Sequence, residues 1–539
     1  MTNFAAVYTF ILVAWNQANA VLGDAATSKF NVLIPKELSK SGTGYDHRGA
    51  LFGTPPYGGT IQQQVYYAAS TLCDLNTIDP KSGYPKRDDM STWKSPFILM
   101  VDRGECSFVQ KVRNAQRSGA TAVLIADDMC ICSHGACQDD LSSGSGENFC
   151  EEEEPVMADD GSGSDISIPS FLLFKEDADP IKSVLYKNEN VRVQMGFSVP
   201  APDSRVEYDL WTSPADSITR ELQEDFLTAV SALSDHAFFT PHMYIYDGVN
   251  AGCHSEEGED LCLDLCSNHG RYCSIDIDEN SGATGAEVVA ESLRRICIWQ
   301  EYGKDNGIGL QWWDYVKEFT ERCDSGAWED EGMVFSDEEC IATAMEAAGV
   351  KKSDIDECME KSGGVTGDNA NALLDKELSD QETTGVVLTP SLYVNQATIR
   401  GFLNFQTTFK AICAGFAHGS EPPICQECGS CPDERGCVER GKCSSGSSLG
   451  TIMGANGNAT ISTNWFLASL AGAIVLFSVI GYVHFRRQEA YMRNQIRGVV
   501  AEYMPVGAQN STASTSLALD DEENEGQMHT FPTPDSELS

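Results

Sequence analysis

Basic side chains are few: 37 Lys and Arg stand against 80 Asp and Glu in 539 residues, a formal net charge of −43. So acidic a chain offers no electrostatic footprint for a phosphate backbone, which excludes nucleic acid as a partner. Histidine is scarce too, at nine residues, and none shows metal-ligand spacing. No H-E-x-x-H, G-x-S-x-G or Walker loop occurs. The chain therefore carries no hydrolase or nucleotide-binding signature, and no catalytic residue is assigned. The last absence is local. All 20 cysteines lie between Cys73 and Cys443, and none follows. That partition is expected of a chain with one part in an oxidising compartment and the rest in a reducing one.

Two apolar runs give the same topology. AAVYTFILVAW (5–15) is followed by Ala18-Asn19-Ala20, a signal-peptide pattern covering residues 1–20. WFLASLAGAIVLFSVIGYV (465–483) has 19 residues and no charge, enough to cross a hydrocarbon core of ~30 Å as a helix. Arg486, Arg487, Arg493 and Arg497 follow, which puts residues 484–539 in the cytosol, and Trp465 and Tyr482 mark the two interfaces. The expectation is a single-pass type I membrane protein whose lumenal part holds 33 of the 37 basic and 71 of the 80 acidic side chains. In the tail, Tyr503-Met504-Pro505-Val506 is a Tyr-x-x-aliphatic pattern. An extended segment there presents alternate side chains to the edge of a partner sheet. Residues 520–525 read as a solvated acidic cluster.

The expected fold class is multidomain α/β. Residues 24–200 show strand–helix–strand order: SPFILMVDRG (95–104), then FVQKVRNAQRSGA (108–120) with Val109, Val112 and Ala115 at helical spacing, then TAVLIADD (121–128). Residues 129–165 read as an irregular loop pinned by cysteines. Its glutamates Glu151–Glu154 are open to two readings, a cation site or a solvated surface, and the second is the ordinary one. Residues 203–420 form a second unit: VEYDLWT (206–212) as a strand, a helix over 216–233, HMYIYDG (242–248) as a strand, a Cys-rich helical insertion, then VVLTPSLYVN (386–395), ATIRG (397–401) and a helix over 404–416. A Cys-rich stalk (421–444) and a Gly/Ser linker (445–463) lead to the membrane. The sequon at Asn458 lies so close to the bilayer that its use is not expected.

The C-x2-C spacing of Cys425, Cys428 and Cys431 suits a metal, but a lumenal setting favours disulfides, and with Cys437 and Cys443 the spacing looks like a short EGF-like module. Five cysteines here and nine between Cys253 and Cys413 are both odd counts. If all pair within the chain, at least one bridge ties the stalk to the second unit. DIDEC (354–358) imitates a calcium-binding EGF start, but the next cysteine is Cys413 and the surrounding pattern is helical. DIDENSGATGAE (276–287) imitates an EF-hand loop, with Asp276, Asp278, Asn280 and Glu287 at ligand positions, but the sixth position, which needs Gly, is Ser281. Calcium is therefore a minor reading, and no cofactor is assigned. The second unit resembles a thioredoxin-like fold of the DsbA type, in which the proline of Thr389-Pro390 is expected cis. A redox enzyme of that fold needs Cys-x-x-Cys where the first helix begins. Ser213-Pro214-Ala215-Asp216 stands there, so a binding scaffold is expected rather than an oxidoreductase.

Further motifs carry a closer resemblance. FGTPPYGGT (52–60), VDRGECSF (101–108) and NAQRSGATAVLIADD (114–128) are similar to the protease-associated domain of plant-type vacuolar sorting receptors. HGRYC (269–273), WWDYVKEFTERC (312–323), IRGFL (399–403), SEPPIC (420–425) and AEYMPV (501–506) extend the resemblance along nearly the whole chain. It implies a receptor that binds sorting peptides of soluble cargo in the Golgi lumen, carries them through clathrin adaptors to a vacuolar or lysosomal compartment, and is not an enzyme. It implies that Arg103, Glu105, Cys106, Ser107 and Phe108 help to hold cargo, that Cys73 pairs with Cys106, and that Tyr503–Val506 is the tail signal. The chain departs from the family in two places. One short stalk replaces several EGF-like repeats, which puts calcium-dependent binding in doubt. Val506 stands where the family has Leu. A lumenal thioredoxin-like chaperone or oxidoreductase is the second reading, set back by the missing Cys-x-x-Cys.

Overall fold

The structure, a computed structural model, describes residues 27–443 apart from 43, 75–80, 82, 87–91, 133–149, 153, 256–257, 275–282, 325–334, 387 and 432. The expected signal peptide, Asn458, the membrane span and Tyr503–Val506 lie outside the described residues. Among those described, no helix is long and apolar enough to cross a membrane.

The N-terminal domain is built on one seven-stranded sheet. Its elements are β1 (Ser28–Ile34), β2 (His47–Gly49), β3 (Gly59–Tyr67), β4 (Ile98–Asp102), α1 (Phe108–Arg117), β5 (Ala122–Ala126), β6 (Cys130–Ile131), β7 (Cys150–Glu151), β8 (Ser170–Leu173), α2 (Lys175–Tyr186) and β9 (Val191–Phe197). The order is β1-β9-β3-β4-β5-β8-β2, with parallel pairing from β3 through β8 and antiparallel edges. Strands β4 and β5 are buried on both faces, which is why they read as unbroken apolar runs rather than alternating ones. Helix α1 buries Val109, Val112 and Ala115 as its spacing requires, and Gly119, at φ +89°, turns the chain into β5.

The second domain runs β10 (Val206–Thr212), α3 (Ser217–Leu233), β11 (Ala237–Met243), β12 (Tyr246–Asp247), β13 (Cys266–Ser267), β14 (Tyr272–Cys273), α4 (Gly285–Tyr302), α5 (Leu310–Cys323), α6 (Glu338–Ala347), α7 (Lys352–Ser362), α8 (Ala372–Thr384), β15 (Ser391–Val394), β16 (Ala397–Ile399) and α9 (Phe405–Ala414). Its main sheet has the order β11-β10-β15-β16. Parallel β10–β11 and the antiparallel hairpin β15–β16, with Thr389–Pro390 cis, give the thioredoxin-like arrangement. Helices α4–α8 are inserted between the two halves and cross-linked by Cys297–Cys358 and Cys323–Cys340. Phe226, Phe239, Trp312, Trp313 and Phe405 interlock between sheet and helices.

Two expectations need correction. The strand placed at 242–248 is divided: β11 starts at Ala237 and ends at Met243, with Pro241 inside it, and Tyr246–Asp247 is β12 of a separate small sheet. Proline is tolerated there because β11 is the sheet edge and needs no second ladder. The stalk is not an EGF-like module: its described residues form two short helices, α10 (Pro423–Cys428) and α11 (Glu434–Arg440), and no strand. Proline at the first turn of α10 and the Asp433 side chain accepting from Gly436 N at α11 favour helix starts over a hairpin. Cys428–Cys437 and Cys431–Cys443 close the stalk, and Cys413–Cys425 ties it to α9. In keeping with the EF-hand pattern being the minor reading, Glu287, its twelfth position, forms a capping box with Thr284 at the start of α4; residues 276–280 lie outside the described residues.

Two motifs widely separated in sequence meet between the domains. The buried Tyr57 hydroxyl donates to Arg400 O (2.9 Å) and accepts from Arg400 N (2.7 Å). Gly401 N donates to Ala50 O and Phe402 N to Gly53 O. Gly401 sits at φ +97°, and a Cβ on it would lie 2.4 Å from Pro55 Cδ. The segment 52–57 and the segment 399–403 therefore form one backbone clip.

Candidate functional site

The loop between β4 and α1, Arg103–Ser107, is fixed from below. Gly104 and Glu105 both adopt positive φ, +99° and +67°, and Cys106 N donates to Gly104 O. Cys106 is bonded to Cys73, with Cα atoms 5.7 Å apart. Under this bridge lies Lys111, wholly buried. Its Nζ donates to Thr71 O (2.8 Å) and to Gly104 O. Burial lowers its pKa, while Glu105, Asp102 and Asp128 pull it back. Gln110 Nε2 donates to Cys73 O and Asn114 Nδ2 to Leu72 O. The loop is thus sewn to the 71–73 segment along one face of α1.

Ser107 caps α1, accepting from Gln110 N, and its hydroxyl donates to Asp160 Oδ2 (2.5 Å). Burial raises Asp160, but the hydrogen bonds from Ser107 and Ser162 hold its carboxyl below the usual value. Glu105 is exposed and accepts from Thr71 Oγ1. Phe108 begins α1 and packs half-buried on the apolar cluster behind the loop.

Arg103 reaches sideways. Its Nη1 donates to Asp127 Oδ1 (2.9 Å) and Glu151 Oε2 (2.7 Å). Burial acts to lower its pKa, and the hydrogen bonds and charge of Glu151 and Asp127 outweigh this and raise it. Both partners are taken by Nη1, so Nε and Nη2 have no protein partner among the described residues. Asp127 is fully buried, and its Oδ2 is likewise without a hydrogen-bond partner among them. Glu151 follows Cys150, which Cys132 holds in place. The result is a rigid ledge with one guanidinium edge and one carboxylate oxygen uncommitted, rimmed by Glu105, Asp128 and Asp160.

The structure brings Arg103, Glu105, Cys106, Ser107 and Phe108 together because they are consecutive. It also adds residues that the sequence did not mark, Lys111, Asp127 and Asp160, and Glu151, which the sequence marked only as part of an acidic run. The glutamate run read as solvated is not all so: Glu151 pairs with Arg103, and Glu154 with Arg48. A Lys at an apolar-phase position of α1 was the one available signal for Lys111; nothing local pointed to the acids. In the second domain, Ser213–Asp216 occupies the turn before α3, with Asp216 N donating to Ser213 O and Asp216 Oδ2 accepting from Thr219 Oγ1. No thiol stands there, and the described cysteines are all disulfide-bonded.

The profile of the vacuolar sorting receptor thioredoxin-like domain matches residues 206–413, and that of the PA domain residues 61–181. Vacuolar-sorting receptor 1 of Pisum sativum is 32% identical over 441 residues, 77% of this chain and 63% of that protein. The chain belongs to the vacuolar sorting receptor family. Vacuolar-sorting receptor 5 of Arabidopsis thaliana is 31% identical over 404 residues, 71% of this chain and 59% of that protein. This family member thus spans about three fifths of the length of these two relatives. Among solved structures, oxidised BdbD from Bacillus subtilis is similar at 13% identity, over 40% of this chain and 89% of that one, with a TM-score of 0.23.

Proposed function

We propose that the chain is a sorting receptor that captures soluble cargo proteins in the Golgi lumen at the Arg103 ledge. A sorting peptide adds to this ledge in extended form. Arg103 Nε and Nη2 donate to its carbonyls or to a carboxylate, while the buried Asp127 holds the guanidinium from behind. Glu105, Ser107 and Phe108 line the same edge. Cargo then travels to a vacuolar or lysosomal compartment, through clathrin adaptors that read Tyr503–Val506 in the cytosol. Val506 fills the adaptor's apolar pocket less fully than Leu, and weaker binding is expected. Relatives bearing the receptor name support the role in outline. The observation that carries the reading is the uncommitted guanidinium edge on a loop otherwise bonded on every side.

The test is cargo retention by the detergent-purified full chain, compared with Arg103→Lys and Glu105→Ala, at neutral and acidic pH. Arg103→Lys keeps a cation for Asp127 but removes the fork. Retention of soluble vacuolar or lysosomal proteins by the parent chain at neutral pH, and its loss in Arg103→Lys with an unchanged melting temperature, supports the reading. Equal retention by all three proteins, or none by any, sinks it.

A further inference from the structure

The face of the second sheet away from its aromatic core carries a different cluster. Residues alternate along a strand, so Asp209 and Trp211 of β10 and His242 of β11 share this face, Trp211 and His242 as register partners. Their rings stack 4.3 Å apart at 11°. Helix α8 covers the face and brings Glu377 and Asp380, three residues apart, against the imidazole. His242 Nδ1 lies 3.1 Å from Glu377 Oε2, with side-chain exposures of 13% and 7%. Glu377 Oε2 also accepts from Met243 N at 3.0 Å. One ligating atom each from His242, Glu377 and Asp380 falls within 4.8 Å of the others.

The charges in this layer do not balance. Asp209, Glu377 and Asp380 face His242; Lys376 pairs with Asp380, and Glu207 at the rim pairs with Arg205. With a neutral imidazole, two negative charges are left over. A proton on His242 removes one; a divalent cation removes both. Two carboxylates this close, in a layer largely closed to water, repel strongly unless a cation lies between them. The stack on Trp211 also orients the ring, as an indirect ligand shell would.

We propose that His242, Glu377 and Asp380 form a binding site for a zinc-class divalent cation, separate from the Arg103 ledge. An imidazole with two carboxylates, completed by water, suits zinc. Calcium takes six to eight oxygens and no imidazole, so the donor set selects against it. The two cysteine trios that also come together, Cys253/Cys266/Cys273 and Cys431/Cys437/Cys443, are held in disulfides and supply no thiolate.

The experiment uses the full chain in detergent, stripped with a chelator and titrated with zinc alone by calorimetry at neutral pH. The parent chain is expected to take up one equivalent at micromolar affinity or tighter, with a rise in melting temperature. His242→Ala and Asp380→Asn are each expected to weaken uptake at least tenfold. Asp380 is only half-buried, so that variant keeps the fold if His242→Ala does not; melting in chelator checks both. No saturable uptake by the parent chain overturns the proposal. So does uptake unchanged in Asp380→Asn, or displacement of zinc by equimolar calcium.

Discussion

At the scale of single residues, two buried charges set the behaviour of the lumenal part. Among the described residues, Arg103 is the only cation paired with Asp127, whose carboxylate has no exposure to water. Arg103→Ala leaves that charge unpaired, and a loss of about 2–4 kcal/mol is expected in denaturant melts, toward the low end because Arg103 is partly exposed. A loss under 0.5 kcal/mol, roughly a surface substitution, would show that Asp127 is held by something else. Asp324, at the end of α5, is pushed up to about 6 by burial, with Arg220 and Arg295 drawing it back. A raised carboxyl means that the folded chain holds the proton more tightly than the unfolded one. Its contribution is greatest below the unfolded value near 4 and is lost as pH rises through about 6, with a ceiling of about 3 kcal/mol. The domain is therefore expected to be more stable at pH 5 than at pH 7 by an amount that Asp324→Asn removes. Melts of both proteins at the two pH values decide it: parallel curves for parent and variant would refute the assignment to Asp324.

Among the elements, the clip between residues 52–57 and 399–403 joins the two domains through backbone groups, and its specificity rests on Tyr57 and Gly401. Tyr57→Phe leaves Arg400 N and O unpaired in a buried place, at about 1–3 kcal/mol. Gly401→Val adds a Cβ against Pro55 at a φ that side chains resist. Both variants are expected to split one calorimetric unfolding transition into two, as the domains uncouple. One undivided transition in Gly401→Val would mean that the domains are held together elsewhere. These motifs were legible as patterns, but their meeting was not, because 343 residues separate Tyr57 from Arg400. The same holds at the ledge. Strands β4 and β5, helix α1 and the consecutive site residues were readable because burial on both faces and helical spacing are local properties. Asp127 and Glu151 are 24 and 48 residues from Arg103, and only the fold brings them there. Helices α10 and α11 were misread because cysteine spacing reports which residues can pair, not which backbone joins them.

For the molecule as a whole, net charge governs behaviour that no single contact reveals. A chain at −43 repels itself when compact, and it repels a second copy as well. Most ion pairs on its surface are exposed, such as Lys361–Glu357 and Arg205–Glu207, and exposed pairs contribute about 0–1 kcal/mol each. The unpaired excess of acid therefore outweighs them. Raising ionic strength from about 0.01 M to 0.15 M shortens the screening length from about 30 Å to 8 Å. That weakens long-range repulsion far more than contacts near 3 Å, and far more than buried pairs such as Arg295–Glu291. The melting temperature of the full chain in a nonionic detergent is thus expected to rise over this range of sodium chloride and then level off. A fall would mean that the exposed pairs are cooperative networks rather than isolated contacts. The same screening gives a handle on cargo: if the acidic rim of the ledge steers cargo in, the association rate should drop over this range while the dissociation rate holds. An association rate indifferent to salt would confine recognition to the contacts of Arg103 and its neighbours.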